Sequence, residues 1–228
     1  MAGYPGSKGG EGVWQRIVSA MPPHRVYVEP FFGGGAVFQA KRPAQFSVLA
    51  DLDAEVITAA ARQLTPPDAA FIVADAMRLL PALQLTRNDL VYADPPYVHA
   101  TRSKLKLYRR EMTDADHQQL LGVLCSLDAQ VMLSGYRSPL YDSALSAWHR
   151  MDYTAQTRGG PRTESLWCNF EPGKAFHDPR FYGDGYRERE RIKKKRNRWV
   201  RRFEQMPPGE RAIIAEALQI ASADPPPP

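Results

Sequence analysis

Short apolar runs alternate along the chain with segments whose apolar residues recur at helical spacing. That pattern belongs to an α/β fold, a sheet sandwiched between helices, and not to an all-helical or all-β one. Seven runs read as strands: Arg25–Glu29, Phe46–Ala50, Ala70–Ala74, Asp89–Ala93, Gln130–Ser134, His149–Thr154 and Glu164–Phe170. The first five are apolar and spaced for crossover helices, as buried parallel strands should be. The last two are joined by Ala155–Thr163, a polar stretch containing Gly-Gly-Pro, which predicts a loop and a closing antiparallel hairpin. Helices are predicted at Glu11–Ala20, Ala36–Lys41, Ala54–Leu64, Asp114–Leu127 and Pro139–Ala147, with Thr113 or Asp114 suited to cap the fourth.

The pattern changes at His177. Residues 1–176 read as one catalytic-sized domain, 177–186 as a polar connector, 187–223 as a helical hairpin and 224–228 as a proline tail. Ile192, Trp199 and Phe203 recur at helical spacing, as do Ile213, Ala217 and Ile220, with Met206-Pro207-Pro208-Gly209 between the two segments. The first trio is expected to anchor its helix by one face.

Charge sharpens this division. The net charge of +5 conceals residues 187–202, where ten Lys/Arg stand against two Glu, so that segment carries +8 and the rest −3. A concentrated basic helix points to a polyanionic partner, with a solvated helix face as the competing reading. Cys125 and Cys168 form no Cys-x-x-Cys pair, so neither a disulfide framework nor a cysteine metal site is suggested. No apolar run approaches the roughly 20 residues a membrane span needs. A cytoplasmic protein without membrane attachment is expected.

The candidate chemistry lies where strands end. After the first strand comes Glu29-Pro30-Phe31-Phe32-Gly33-Gly34-Gly35 and then a helix, a glycine turn at the carboxyl edge where open α/β sheets bind ligands. Asp51 ends the second strand and could accept both hydroxyls of a ribose; Asp53 is the competing candidate, but two residues on it would cap the next helix. Asp75 follows the third and could accept from an adenine amine. The fourth strand runs into Ala93-Asp94-Pro95-Pro96-Tyr97. The prolines cannot continue a ladder and hold Asp94 and the next carbonyl in fixed positions. Acceptors on both N–H groups of an aromatic amine would localise its lone pair for attack on a methyl sulfonium, and Asp94 with the Pro95 carbonyl can supply them. Tyr97 offers a face for a base extruded from a duplex.

In these motifs the sequence resembles the Dam-type DNA adenine methylases over roughly residues 4–170. Tyr4-Pro5-Gly6-Ser7-Lys8-Gly9-Gly10 is similar to the family's N-terminal cofactor motif and Glu29–Gly35 to its glycine loop. Ala50-Asp51-Leu52-Asp53 resembles the ribose-binding motif, and Asp94–Tyr97 matches the catalytic one; Leu133–Tyr136 and Thr163–Trp167 also look like family segments. The resemblance implies a Rossmann-like seven-stranded methyltransferase sheet and S-adenosylmethionine as cofactor, with N6 of an extruded DNA adenine as acceptor. It also implies cofactor contacts by Tyr4, Gly6, Lys8, Phe31, Gly33, Gly35, Asp51 and Asp75, and contacts to the adenine by Asp94, Pro95, Pro96 and Tyr97. Nothing requires a metal.

One departure stands out. Only 58 residues separate Gly35 from Asp94, too few for the target-recognition region that larger members insert there. DNA contacts are therefore expected elsewhere: in the loop carrying Arg102, Lys104, Lys106, Tyr108, Arg109 and Arg110, in Ala155–Thr163, in the basic helix through Lys193, Lys194 and Arg198, or on a partner chain. The same motif chemistry suits the N4 amine of cytosine or an RNA amine, and a catalytically silent nucleic-acid-binding subunit would also keep the fold. The Dam-like motif order is what points to adenine.

Overall fold

A computed structural model describes residues 8–10, 12–98, 111–157 and 160–223. The chain divides into two compact units, Met1–Phe181 and Tyr182–Pro228.

The first unit is built on a seven-stranded sheet with helices on both faces. In chain order its elements are α1 (Val13–Ala20), β1 (Val26–Glu29), α2 (Ala36–Ala40), β2 (Phe46–Asp51), α3 (Ala54–Gln63), β3 (Ala69–Val73), α4 (Ala76–Ala82), β4 (Leu90–Ala93), α5 (Asp114–Ser126), β5 (Gln130–Gly135), α6 (Pro139–Ala144), β6 (His149–Thr157) and β7 (Gly160–Cys168). The strand order is β3-β2-β1-β4-β5-β7-β6. Strands β1 to β5 are parallel, and β7 runs antiparallel to both of its neighbours. The order reverses between β1 and β4, so their carboxyl ends diverge around the crevice in which open α/β sheets bind ligands.

Alternation along each strand makes the two faces. Tyr27, Leu49, Tyr92 and Met132 pack with Ile17 and Val18 of α1, Val37 of α2 and Ile57 and Ala60 of α3. Their neighbours Val28, Val48, Val91, Val131 and Leu133 pack on the other face with Leu80 of α4, Leu120, Leu121 and Leu124 of α5 and Tyr141 of α6. A one-residue slip in any of these strands would exchange the two sets, so the pattern sets the register. Each fully buried Leu or Ile adds about 1.5–3 kcal/mol. At the opposite edge Asp89, fully buried, accepts from the Val26 and Thr86 backbone N–H groups and from Arg25, clamping the entry to β4 beside β1.

Three expectations need correction. Ala155–Thr163 is mostly ladder, because Ala155 pairs with Arg162, Gln156 with Pro161 and Thr157 with Gly160. Gly160 and Pro161 of the Gly-Gly-Pro signal already belong to β7 and its ladder. A helix, α4, stands where none was predicted: Asp75 caps it, its Oδ1 2.8 Å from the Met77 N–H, while seven residues including Pro81 leave too short an apolar stripe to read. The first half of the expected connector belongs to the first unit. His177 stacks on His24 at 3.8 Å between ring centroids, Phe181 meets Trp14 edge-on, and buried Asp178 binds Arg42 and Arg180. The span between Gly35 and Asp94 holds only α2, β2, α3, β3 and α4, with no inserted module, as its length implied.

The second unit carries α7 (Tyr186–Glu204) and α8 (Pro208–Ala223), with a proline opening α8 where the missing N–H costs nothing. The expected hairpin is seen as two successive helices. No residue of α7 is buried. Trp199, expected as an anchor, is 55% exposed with the Arg202 guanidinium 5.6 Å above its ring; Ile192 and Phe203 are half-buried. No helix of the described residues is long and apolar enough to cross a membrane.

Candidate active site

The glycine segment leaves β1, and two hydrogen bonds tie it to the end of β2. The Phe32 N–H donates to the Ala50 carbonyl at 2.9 Å, which lays the turn across the end of β2. Gly33 and Gly35 have φ of 48° and 61°, the left-handed region where a side chain is disfavoured. Gly35 has a second reason to be glycine, since a Cβ there would fall on the Phe32 ring. Asp51, at the end of β2, accepts from the Gly33 N–H through Oδ2 and from the Asp53 N–H through Oδ1, each at 2.9 Å. Burial raises its carboxyl above the usual range while those N–H groups pull the other way. Each oxygen keeps acceptor capacity toward the space in front of it. Asp53 instead caps α3 through the Glu55 N–H.

These groups border an open cavity of about 1030 Å³, including the solvent at its mouth. Phe31, Gly33, Gly35, Asp51, Asp75, Asp94 and Pro96 line it, together with Lys8, Glu29, Tyr92 and Met112. The lining mixes apolar and aromatic side chains with carboxylates, Glu29, Asp51, Asp75 and Asp94 among them. Glu29 is the unexpected member. Its carboxyl is buried, accepts from the Tyr27 hydroxyl at 2.8 Å, and is pushed up to about 8 by that burial. Asp75 borders the cavity too, although its Oδ1 is engaged as the α4 cap.

Across the switch point, Asp94 follows β4. The Lys8 ammonium, 5% exposed, lies 2.6 Å from Asp94 Oδ1, donates to the Tyr97 hydroxyl and stands 3.7 Å from Glu164 Oε2. Glu164 comes from β7 and also accepts from the Tyr153 hydroxyl at 3.1 Å. Burial pushes the Asp94 carboxyl up to about 6; Lys8 opposes that shift, and the nearby Glu164 adds to it. Burial would lower the Lys8 pKa, but the two carboxylates outweigh it and hold the ammonium charged. A carboxylate can accept about four hydrogen bonds. Asp94, with Lys8 and the Tyr97 hydroxyl on it, retains room for an amine N–H.

Protein-family comparison decides what this site belongs to. The model of the D12 class N6 adenine-specific DNA methyltransferases matches residues 4–85 and 70–157, together more than half of the chain. The chain belongs to that family. It is an S-adenosylmethionine-dependent methyltransferase. A search of curated protein sequences gave no match. Among solved structures, the N-methyltransferase NodS from Bradyrhizobium japonicum WM9 is similar with a TM-score of 0.50 at 12% identity, covering 69% of this chain and 93% of that one. The structure of NodS in complex with S-adenosyl-L-homocysteine also scores 0.50, at 13% identity, covering 69% and 84%. The 23S rRNA methyltransferase ErmE scores 0.50 at 11% identity, covering 75% and 71%. At such identities the likeness concerns the fold, an α/β methyltransferase sheet.

The methyltransferase cavity fits its cofactor on its own chemistry. A nucleoside with a cationic sulfonium and amino-acid end suits a lining with Phe31, Phe32 and Tyr92, a glycine turn that lets the backbone approach, and carboxylates at successive strand ends.

The predicted site residues separate into groups. Phe31, Gly33, Gly35, Asp51, Asp75, Asp94 and Pro96 are brought to one cavity; Pro95 is buried beside it. Lys8 reaches the cavity too, but its ammonium sits on Asp94 and Glu164. Tyr97 needs correction as a stacking surface. It is 6% exposed, with its ring edge-on to Tyr136 at 4.5 Å and its hydroxyl on Lys8, so little of its face is open. Lys193, Lys194 and Arg198 are exposed on α7. Tyr4, Gly6, Arg102, Lys104, Lys106, Tyr108, Arg109 and Arg110 lie outside the described residues. Sequence reasoning missed Glu29 and Glu164. An acid ending an otherwise apolar strand is the signal that marks Glu29, whereas Glu164 stands among the polar residues of β7 and has no such local mark.

Proposed function

We propose that this methyltransferase acts on DNA and transfers the methyl group of S-adenosylmethionine to the exocyclic N6 amine of adenine, taking the base out of the duplex to do so. The observation that carries the reading is Asp94, an acceptor fixed by two prolines at the end of β4, on the rim of the same cavity that the glycine turn and Asp51 border. The family supports adenine as the base.

In this reading Gly33, Gly35, Phe31, Asp51 and Asp75 hold the cofactor, which supplies an electrophilic methyl group when bound. Asp94 and the Pro95 carbonyl accept from the two N–H groups of the amine, with Pro96 and Tyr97 keeping the turn rigid. The amine nitrogen forms the new N–C bond as the S–C bond breaks, and one N–H proton must then leave. A buried carboxyl near 6 can accept it and pass it to water. Lys8 keeps Asp94 ionised and in place.

DNA is held by basic segments of the chain. The ten Lys/Arg of residues 187–202 include Lys193, Lys194 and Arg198, and the segment from Arg102 to Arg110 adds a second basic cluster with Tyr108. Digestion of treated DNA to nucleosides, with mass detection, tests the proposal. N6-methyladenine is expected. N4-methylcytosine would redirect the assignment, and DNA left unmodified at saturating cofactor would refute it.

A further inference from the structure

The β6–β7 ribbon is longer than the sheet needs. β5 pairs with β7 only from Met132 to Gly135, opposite Cys168 to Ser165. The ladder between β6 and β7 continues for five more pairs, from Tyr153–Glu164 to Thr157–Gly160, about 17 Å at roughly 3.4 Å for each residue. Among the described residues no further strand lies along this part of the ribbon. Because β7 is antiparallel to β5, the extension leaves the sheet at its carboxyl edge, where Asp94 and the glycine turn stand. Its base belongs to the site: Glu164 accepts from the Tyr153 hydroxyl and lies 3.7 Å from the Lys8 ammonium that holds Asp94.

Strand alternation gives the ribbon two unlike faces. Tyr153 and Ala155 pack into the layer of Val13 and Ile17 of α1, and Glu164, opposite Tyr153, is buried with them. The other face carries Thr154 opposite Thr163 and Gln156 opposite Pro161, all four exposed and none charged. An open strand edge that only meets water is commonly guarded by charges, lysine above all, because its backbone invites other strands. Uncharged hydroxyl and amide groups are instead suited to base edges: Gln pairs bidentately with adenine, Thr hydroxyls serve any base, and the Thr methyl packs on that of thymine. A two-stranded ribbon also has the width that the major groove of DNA admits.

We propose that this extension reads the DNA sequence around the target base from the groove, through Thr154, Gln156 and Thr163. The proposal rests on the DNA reading above and names the specificity-determining residues within it. No recognition module occupies the span between Gly35 and Asp94, and the Lys/Arg of α7 attract DNA of any sequence through its phosphates. The ribbon adds the choice.

The test methylates long DNA of mixed sequence with the wild-type chain, with Gln156→Leu and with Thr154→Val combined with Thr163→Val, and maps the modified sites by sequencing at matched total methylation. Both exchanges keep side-chain size while removing hydrogen bonds, and Val suits a strand. Discrimination at one or more positions of the preferred sequence should fall by roughly 5- to 150-fold. Cofactor Kd, measured by calorimetry, should stay within about twofold. Should the Val pair melt early, Gln156→Glu keeps the size of an exposed side chain and exchanges a donor for an acceptor, and it should move the preferred base toward cytosine. A site distribution equal to wild type in the variants would overturn the proposal, as would slowing that is uniform over all sites. A wild-type chain that leaves DNA unmodified would instead overturn the functional reading on which this one rests.

Discussion

The two units of this chain treat their apolar residues in opposite ways. In Met1–Phe181 the large apolar side chains are enclosed in two layers, and four charged or ionisable side chains, Lys8, Glu29, Asp94 and Glu164, gather at one cavity or its wall. In Tyr182–Pro228 no residue of α7 is buried, and Trp199, Val200, Ile213, Leu218 and Ile220 are exposed along with nine of the ten basic side chains of residues 187–202. Enclosure makes chemistry possible: in a water-poor site a carboxylate is shifted by its neighbours and can be matched to a task. Exposure suits long-range attraction to a polyanion, which needs charge in solvent and little shape.

That contrast can be sharpened first through pH. Asp94 is pushed up to about 6, and as a carboxyl it is charged, and able to accept from an amine, above that value and neutral below it. Methyl transfer at saturating cofactor should therefore be level above about pH 7. Well below 6 it should fall by about tenfold per unit. Lys8→Met removes the opposing cation, so its pH–rate profile should bend at a higher pH than wild type; an unshifted bend would show that Lys8 does not govern Asp94. A second cut within the cavity is Asp51→Ala, which should weaken S-adenosylmethionine by about 2 kcal/mol, near thirtyfold, when measured by calorimetry. Unchanged affinity would remove Asp51 from the cofactor site. The smallest effect is expected in the other unit. Trp199 is 55% exposed, so Trp199→Ala should alter stability by no more than about 0.5 kcal/mol in chemical denaturation. A large loss would mean that Trp199 is covered in solution, and the contrast between the units would weaken.

The parts of this architecture that were legible in the sequence share a physical reason. The strands β1 to β5 repeat a local requirement, apolar residues on both faces, and the turn after β4 repeats another, an acid locked by prolines at a strand end. Asp53 was correctly read as the α3 cap, since a short acid one residue before a helix has a local partner. What stayed hidden depends on contacts between distant residues. Lys8 and Asp94 are brought together across the sheet, and Glu164 joins them from a hairpin whose register the local pattern left open. The closed position of Tyr97 depends on Tyr136, from the adjoining strand end. Helix α4 was hidden for the opposite reason: it is so short that Ala76 and Leu80 are its only buried residues, and Pro81 interrupts the pattern. For α7 the helical spacing of Ile192, Trp199 and Phe203 was real, but periodicity says which residues share a face and not whether anything covers it.

The division between enclosed chemistry and exposed attraction is tested most directly by single-turnover methylation of saturating DNA at low salt, using two altered proteins beside wild type. In one, Lys193, Lys194 and Arg198 on α7 are each changed to Glu; in the other, Asp94 is changed to Ala. The charge-reversed protein should bind DNA more weakly, with a log K against log salt slope that is shallower by about one for each phosphate it no longer neutralises, yet transfer methyl at the wild-type rate once saturated. Asp94→Ala should bind DNA and cofactor nearly as wild type does and transfer methyl at least about a thousandfold more slowly. A charge-reversed protein with an unchanged salt slope, or an Asp94→Ala protein that still turns over at the wild-type rate, would contradict the account.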